Sequence, residues 1–300
     1  MLYLFGCVGT GDWLAMGIVT VTQAALLALT LWGIARSFLK IATATGSVKK
    51  VRFEHKAVRA QSAQRALFGK ELCRFTASPN YMLNCGLGIL MLPVAGVVLL
   101  IKGGALGQLL EDVFGANAGV VPVLMCAAVC LLASMNDMAA PSVSLEGKSL
   151  WLAQSLPVVP WQVLRAKLDV QLVLTGAPVL FCALCMVIVL PGGALEKVLT
   201  VVVALLYTLL SALAALAFGL KMPNLTWTNE ITPIKQSGCV MLSLFANWFY
   251  AIALGGLYFL CGNVLSAAAY LAIFAVVTAA GSALLLRWVK QRGTRIFAAL

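Results

Sequence analysis

The residues best suited to redox or metal chemistry are nine cysteines and one histidine. Two of the cysteines form a Cys182-Ala-Leu-Cys185 motif, a spacing that can mark a redox pair or a metal site. A reactive thiolate needs a basic or otherwise positive neighbour, and the residues around this motif are apolar. His55 lies in a basic segment that we expect to be solvated. The pattern therefore predicts cysteines that pack as small apolar side chains, with no metal and no cofactor held by this chain.

A second candidate for chemistry is Gly147-Lys148-Ser149, which resembles the end of a Walker A phosphate-binding loop. The complete motif needs another glycine five residues before Gly147, in a turn that follows a strand. Position 142 is Ser, and no strand is predicted before it. We therefore expect that this chain neither binds ATP nor acts as an enzyme by itself.

The elements that must position these residues are predicted to be membrane helices. Hydrophobic residues make up 62% of the 300-residue chain and charged residues 10%, against roughly 25% charged residues in soluble proteins. About 20 apolar residues in a helix cross a bilayer, and continuous runs of this length are not typical of barrel strands. The sequence predicts an all-α, polytopic membrane helix bundle. Seven transmembrane helices are predicted, at 13–35, 82–101, 118–136, 168–190, 198–220, 237–260 and 265–286.

The basic residues predict the orientation of this bundle. If the chain crosses seven times, 19 of its 21 Lys and Arg lie in the loops on one side, and only Lys102 and Lys197 lie on the other. The first set of loops is longer, and the excess remains when it is expressed per residue. Because Lys and Arg are retained on the cytoplasmic side, the C-terminus is predicted to be cytoplasmic in a multi-pass plasma-membrane protein.

The longest polar segment, 36–81, carries ten Lys and Arg. Such a segment next to a membrane is more often held by anionic lipid than by nucleic acid, so lipid is the predicted partner and nucleic acid is not. At its end, Phe68, Leu72 and Phe75 share one helical face. This pattern predicts an amphipathic helix at 66–78 on the inner membrane surface, with Lys70, Glu71 and Arg74 on the opposite face.

The loop at 139–161 is predicted to contain a short helix. Ser142 or Ser144 could cap it, Pro157 would end it, and Pro160 would begin the following helix. A short helix presented to the cytoplasm between two spans could be a docking surface, or a connector that packs under the bundle.

The spans contain almost no charge. Asp169, at the edge of its span, is the only charged residue predicted within all seven. Ion-driven transporters normally use buried ionisable or polar coupling sites, so this pattern does not favour a self-contained ion-coupled carrier.

Several segments resemble the permease subunits of bacterial ABC-2 type ABC exporters, over roughly residues 65–290. The matching segments are Lys70-Glu71, Phe-Thr-Ala-Ser-Pro-Asn-Tyr-Met-Leu-Asn at 75–84, the 142–151 segment with Glu146-Gly147-Lys148, Trp227-Thr-Asn-Glu230, and Pro233-Ile-Lys235-Gln236. The resemblance implies a transmembrane domain of six helices and a cytoplasmic coupling helix, here at about 145–156. It also implies a separate ATPase subunit that carries the ATP.

The resemblance implies roles for individual residues. Glu146, Lys148 and Trp151 would contact the ATPase through the coupling helix. A second cytoplasmic loop would contribute the residues Trp227, Asn229, Glu230 and Lys235. The alternative function is a membrane anchor or assembly protein that does not transport and that binds a cytoplasmic partner.

The resemblance also implies a domain organisation. Residues 1–35 would be an isolated first transmembrane helix, the remnant of a preceding half. Residues 36–81 would be the basic cytoplasmic segment with its amphipathic helix, and 82–300 the six-helix domain. A second permease half or a homodimer would complete the assembly.

Overall fold

The computed structural model describes residues 2–43, 62–114, 119–189, 193–262 and 264–300. Within them the chain is helical and has no β-strand. It divides into two compact units, residues 1–59 and 60–300. His55 lies outside the described residues, as does the 44–61 part of the basic segment that is predicted to contact lipid.

The described part of the first unit, residues 2–43, contains two helices. The helices are α1 (Leu2–Gly9) and α2 (Trp13–Ala42). Asp12 caps the second helix, because its carboxylate accepts the Leu14 amide at 2.9 Å. The predicted span at 13–35 therefore lies wholly within one continuous helix.

The described residues of the second unit form all the remaining helices. Its helices are α3 (Ala63–Ala77), α4 (Pro79–Cys85), α5 (Leu87–Phe114), α6 (Val120–Ala133), α7 (Ala139–Ser142), a 3₁₀ helix (Ser144–Ser149), α8 (Leu150–Ser155), α9 (Pro160–Val189), α10 (Ala194–Lys221), α11 (Ile231–Lys235), α12 (Gly238–Cys261), α13 (Ala267–Trp288), a π turn (Val289–Gly293) and α14 (Thr294–Ala299). Ser78 separates α3 from α4, and its hydroxyl accepts the Tyr81 amide, so α4 begins with Pro79 at its first position.

Among the described residues, six helices are long and apolar enough to cross a membrane. They comprise Trp13–Phe38, Leu87–Leu106, Pro160–Val189, Ala194–Lys221, Ile231–Cys261 and Ala267–Ala299. The seventh predicted span, 118–136, contains a helix of only 14 residues, α6. At 1.5 Å per residue that helix is about 21 Å long, against a hydrocarbon core of about 30 Å.

Helix α6 ends early because the chain turns at its carboxyl end. The Ser134 hydroxyl donates to the carbonyl of Leu131, and the Asn136 amide donates to the carbonyl of Ala133. The next amide, that of Asp137, donates to the Cys85 carbonyl of α4 at 3.1 Å. The end of α6 is thereby tied to the beginning of the neighbouring span.

The interior of the bundle is apolar and closely packed. Helix α10 packs against α9 and α13, α5 packs against α9, and α12 packs against α6. Small side chains let helices approach: at Gly219 of α10, an added Cβ would overlap the carbonyl oxygen of Ala140 in α7. Cys126, Cys130 and Cys182 are fully buried in this core, which is the packing role predicted for them.

Helix α3 does not expose the whole of the polar face that its sequence pattern predicts. Leu67, Glu71 and Phe75 are its buried residues, and the helix packs against α9. The expectation that Glu71 lies on the solvated face is therefore wrong. It is 6% exposed, because it has ion-pair partners on α9 and on α3 itself.

Candidate functional site

The predicted coupling segment is a broken helix. The break lies at Gly147, inside the 3₁₀ helix, where a φ of +52° places the residue in the left-handed region that favours glycine. Neither predicted cap is present: the Ser142 hydroxyl donates to the Ala139 carbonyl, and the Ser144 hydroxyl accepts the Asn224 amide at 3.0 Å. The segment is held in place by tertiary contacts, and the strongest of these involve Glu146.

Glu146 lies at the centre of a cluster of charged side chains. Its Oε1 accepts hydrogen bonds from Lys167 Nζ at 2.7 Å and from Lys70 Nζ at 2.9 Å, and its Oε2 accepts one from Arg74 Nη2 at 2.7 Å. Glu146 is 3% exposed. The carboxylate therefore connects the 3₁₀ helix to α3 and α9 and is not free to contact a partner directly.

A second carboxylate completes this arrangement, which we call the charge cluster (Lys70, Glu71, Arg74, Glu146 and Lys167). Glu71 Oε1 lies 2.9 Å from Lys167 Nζ, and Glu71 Oε2 lies 3.5 Å from Arg74 Nη1. Lys167 Nζ also donates to the carbonyl of Ser142 at 3.0 Å. With three cations and two anions, the cluster carries one excess positive charge.

The cluster fixes the charge state of its members. Burial disfavours the Glu146 carboxylate, but Lys167 and Arg74 outweigh burial and hold the pKa of Glu146 well below its ordinary range. Burial also acts against the Arg74 guanidinium, yet the hydrogen bond to Glu146 and the charge of Glu71 raise its pKa above the usual value. Both groups are therefore fully ionised near neutral pH.

Sequence reasoning missed Lys167, whose side chain is completely buried. One available signal was on the partner helix: Leu67, Glu71 and Phe75 recur at four-residue spacing, which places a carboxylate within an apolar stripe. A carboxylate in that position needs a buried cationic partner. Its partner, Lys167, lies far away along the chain, so a local sequence pattern does not reveal the pair.

The second predicted loop reaches the same segment through Trp227. Its indole Nε1 donates to the carbonyl of Ser144 at 2.6 Å, and its ring lies 3.2 Å from the position that a Cβ on Gly147 would occupy. The structure thus brings Trp227 together with the predicted coupling segment.

The other three predicted loop residues do not join the charge cluster. Asn229 Oδ1 accepts the Ile231 amide at 3.0 Å, and Glu230 immediately precedes α11. Lys235 is exposed and lies at the rim of a separate cavity beside α12. Asn229 therefore organises its own loop, Glu230 lies next to it in the chain, and Lys235 lies away from the charge cluster.

Helix α8 and the residues on either side of it are exposed, and we call this region the α8 surface (Lys148, Trp151, Leu152, Leu156 and Val159). Trp151 is 66% exposed and Val159 is 61% exposed. The opposite side of α8 is buried through Leu150 and Ala153. Gln154 ties the helix to the end of the chain, because its Nε2 donates to the Phe297 carbonyl at 2.8 Å.

No candidate metal-binding site is found in the part of the chain that the structure describes. There, no group of three or more His, Cys, Asp or Glu side chains lies together in a way that could hold an ion. The charge cluster joins the 3₁₀ helix, α3 and α9. The α8 surface leaves the side chains of Trp151 and Lys148 available for contact.

Comparison of the chain with protein-family models, with curated proteins and with solved structures gives no match in any of the three. Any function must therefore be argued from the residues and their geometry.

Proposed function

We propose that this chain is the membrane-spanning permease subunit of an ATP-driven ABC exporter of the ABC-2 type. The observation that carries the proposal is the α8 surface, which exposes Trp151 on a helix whose other side is buried and Lys148 just before that helix. Exposed tryptophan in an otherwise anchored element is typical of an interaction surface. A separate cytoplasmic ATPase is the partner that the sequence resemblance implies.

In this proposal, force passes from α8 to the spans through the charge cluster. A push on α8 moves the 3₁₀ helix, whose Glu146 is bonded to Lys167 of α9 and to Arg74 of α3. Because the cluster is buried and multiply bonded, these elements move together rather than separately. Glu146 acts here as a positioning residue, and Lys148 and Trp151 make the contact.

The proposed topology keeps the charge cluster on the cytoplasmic side. Helix α6 would complete the crossing with the residues that follow it, and the C-terminus would be cytoplasmic in the plasma membrane. The chain would bind no ATP itself, since ATP binding and hydrolysis belong to the partner. A second permease half or a second copy of the chain would complete the transport path.

The test is purification of the native complex through a tagged copy of this chain, with the ATPase identified by its Walker A sequence and its ATP hydrolysis. We expect Trp151→Ala to reduce the affinity for the ATPase about thirtyfold, because a tryptophan hot-spot contact is typically worth about 2 kcal/mol. Lys148→Glu, which reverses a charge at the same surface, should reduce it about tenfold. Membrane insertion should be unchanged, since both side chains are exposed.

Matched controls are Lys197→Glu, a charge reversal at the opposite end of the bundle, and Phe249→Ala, an exposed aromatic residue on α12. Both should retain the ATPase. The proposal fails if no ATPase accompanies the wild-type chain, or if all four variants bind it equally.

The alternative function is a membrane anchor that holds a cytoplasmic partner without transport. In that function the α8 surface would bind the anchored partner, as it would bind the ATPase in an exporter. The two functions differ in what the partner does: an anchored partner without Walker motifs that binds through Trp151 would favour the alternative.

A further inference from the structure

A cavity of about 750 Å³ lies outside the charge cluster and the α8 surface. Its lining comes from α4, the start of α5, the turn that follows α6, α11 and the first three turns of α12. The volume is within the range of about 300–1,000 Å³ that ligand-binding pockets occupy. No member of the charge cluster lines it, so the cavity is a separate site.

One wall of the cavity is an apolar stripe on α12. Met241, Leu244 and Trp248 form this stripe, and their spacing of three and four residues places them on one face of the helix. From Met241 to Trp248 the stripe extends about 10 Å along the helix axis. Leu83 and Leu87 add apolar side chains from α4 and the start of α5. A hydrocarbon chain that lies beside α12 would therefore contact apolar side chains over this length.

The polar residues of the lining lie at one end of the long helices. Asn84 precedes α5, and Ser134 and Asp137 follow α6. Lys235 and Gln236 precede α12, and the side chains of both are exposed. The cavity is thus polar where these helices begin or end and apolar along α12. A lipid has the same order of polarity, with its headgroup at the membrane surface and its acyl chains beside the helices.

Lys235 provides the positive charge of this cavity. Among the described residues no carboxylate forms an ion pair with it, whereas Lys70 and Lys167 both pair with Glu146. The carboxylate oxygens of Asp137 are buried and offer nothing to a ligand. Burial also raises the pKa of Asp137 to about 7, which reduces its negative charge near neutral pH. The charge that the cavity presents to a ligand is therefore positive.

We propose that this cavity binds an anionic phospholipid, with the phosphate beside Lys235 and one acyl chain along the α12 wall. The Lys235 ammonium would donate charge-assisted hydrogen bonds to the phosphate oxygens, and the Gln236 side chain offers two further N–H donors. A lysine near the membrane surface raises the affinity for an anionic lipid about fivefold. Phosphatidylcholine gains less, because its headgroup carries its own cation. This inference does not depend on the export role.

The test uses lipids brominated on their acyl chains, because bromine quenches the emission of a tryptophan that it contacts. The full chain is placed in phosphatidylcholine nanodiscs with increasing fractions of brominated phosphatidylglycerol or brominated phosphatidylcholine. Trp248→Phe is measured in parallel, and the difference isolates the emission of Trp248 among the seven tryptophans. We expect half-quenching of Trp248 at about a fivefold lower fraction of brominated phosphatidylglycerol than of brominated phosphatidylcholine.

Replacements of Lys235 test the contribution of its charge. Lys235→Gln should abolish the preference for phosphatidylglycerol, and Lys235→Arg, which keeps the charge, should retain it. The matched control is Arg292→Gln, which removes an exposed cation outside the cavity and should also retain the preference. Because Lys235 and Arg292 are both exposed, these variants should fold like the wild type.

A second control distinguishes the cavity from the open side of α12. The double variant Trp248→Phe, Phe249→Trp moves the indole by one residue, which is about 100° around the helix. Phe249 is 75% exposed and does not line the cavity. The two brominated lipids should therefore quench the tryptophan of this double variant at equal fractions.

Three results would overturn the proposal. The first is half-quenching of Trp248 at equal fractions of the two lipids. The second is a preference for phosphatidylglycerol that Lys235→Gln retains, or that the double variant shows to the same degree. The third is a Trp248 that neither brominated lipid quenches, which would show that another occupant, such as a second copy of the chain, fills the cavity.

Discussion

The charge cluster and the core within the spans are both buried, but they are held together in different ways. Within the spans, side chains such as Leu92, Val203 and Leu254 pack with no exposed area and no direction-dependent contacts. In the charge cluster, Glu146 has three cationic partners within 2.9 Å, on two other helices. Apolar packing tolerates many arrangements of similar volume, whereas a buried ion pair is satisfied in very few.

The difference suggests a division of roles. The apolar core holds the helices in the bundle, and the charge cluster specifies how the 3₁₀ helix, α3 and α9 meet. If this is correct, replacements of equal volume should have very different consequences in the two regions.

The largest effect is expected for Lys167→Met, which keeps much of the side-chain length but removes the buried cation. Glu71 and Glu146 would then lie buried with fewer positive partners, since Lys167 contacts both at 2.9 Å or less. We expect the free energy of unfolding to fall by about 3–5 kcal/mol. Reversible unfolding in mixed detergent micelles measures it.

The matched control is Leu92→Met in the apolar core, where Leu92 is fully buried. A volume-conserving hydrophobic replacement should cost less than about 1.5 kcal/mol. Similar losses in both variants would show that the two regions are held together in the same way.

A smaller effect is expected for Glu146→Gln, which keeps one acceptor oxygen but removes the charge that binds Lys167 and Arg74. We expect a loss of about 2–3 kcal/mol at pH 7. Because the folded-state pKa of Glu146 lies below the ordinary value, its contribution is complete above about pH 5 and declines as the pH falls toward the folded value.

The pH profile separates charge from shape. Wild-type stability should fall between about pH 5 and pH 3, and Glu146→Gln should remove part of that decline. Glu196→Gln, at the opposite end of the bundle, serves as the control and should leave the profile unchanged. An identical acid profile for wild type and Glu146→Gln would contradict the assignment of the charge state.

The smallest effect is expected for Gly147→Ala. Its φ of +52° strains any side chain, and the new Cβ would lie 3.2 Å from the Trp227 ring. We expect a loss of about 1–3 kcal/mol. Gly69→Ala is the control: nothing lies within 4 Å of its added Cβ, and alanine in a helix gains about 0.5–1 kcal/mol. Equal stability of the two variants would show that the broken helix is not constrained at Gly147.

The long spans could be predicted from the sequence, because hydropathy depends on composition within a continuous segment. Six of the seven predicted spans contain long apolar helices, and α12 (Gly238–Cys261) lies within one residue of its predicted bounds at each end. The predicted Pro160 helix start is also present. The length of α6 could not be predicted, because its end depends on a hydrogen bond from Asp137 to α4.

The candidate site was less predictable, for a physical reason. Glu146, Lys148 and Trp151 were predicted together on the coupling helix, and Trp227 on a second loop. The sequence could not distinguish the buried Glu146 from the exposed Lys148 two residues later. That distinction depends on Lys167 and Arg74, which lie 21 and 72 positions away along the chain. Local patterns do not encode such pairings.

The π turn at Val289–Gly293 has a consequence for the end of the chain. A π turn inserts one residue into a helix, and one residue corresponds to a rotation of about 100°. Every side chain of α14 is therefore out of phase with the pattern of α13. This rotation places Phe297 in the core, at 1% exposure, and aligns its carbonyl with Gln154 of α8. The rotation of α14 therefore allows the carboxyl end of the chain to pack against α8.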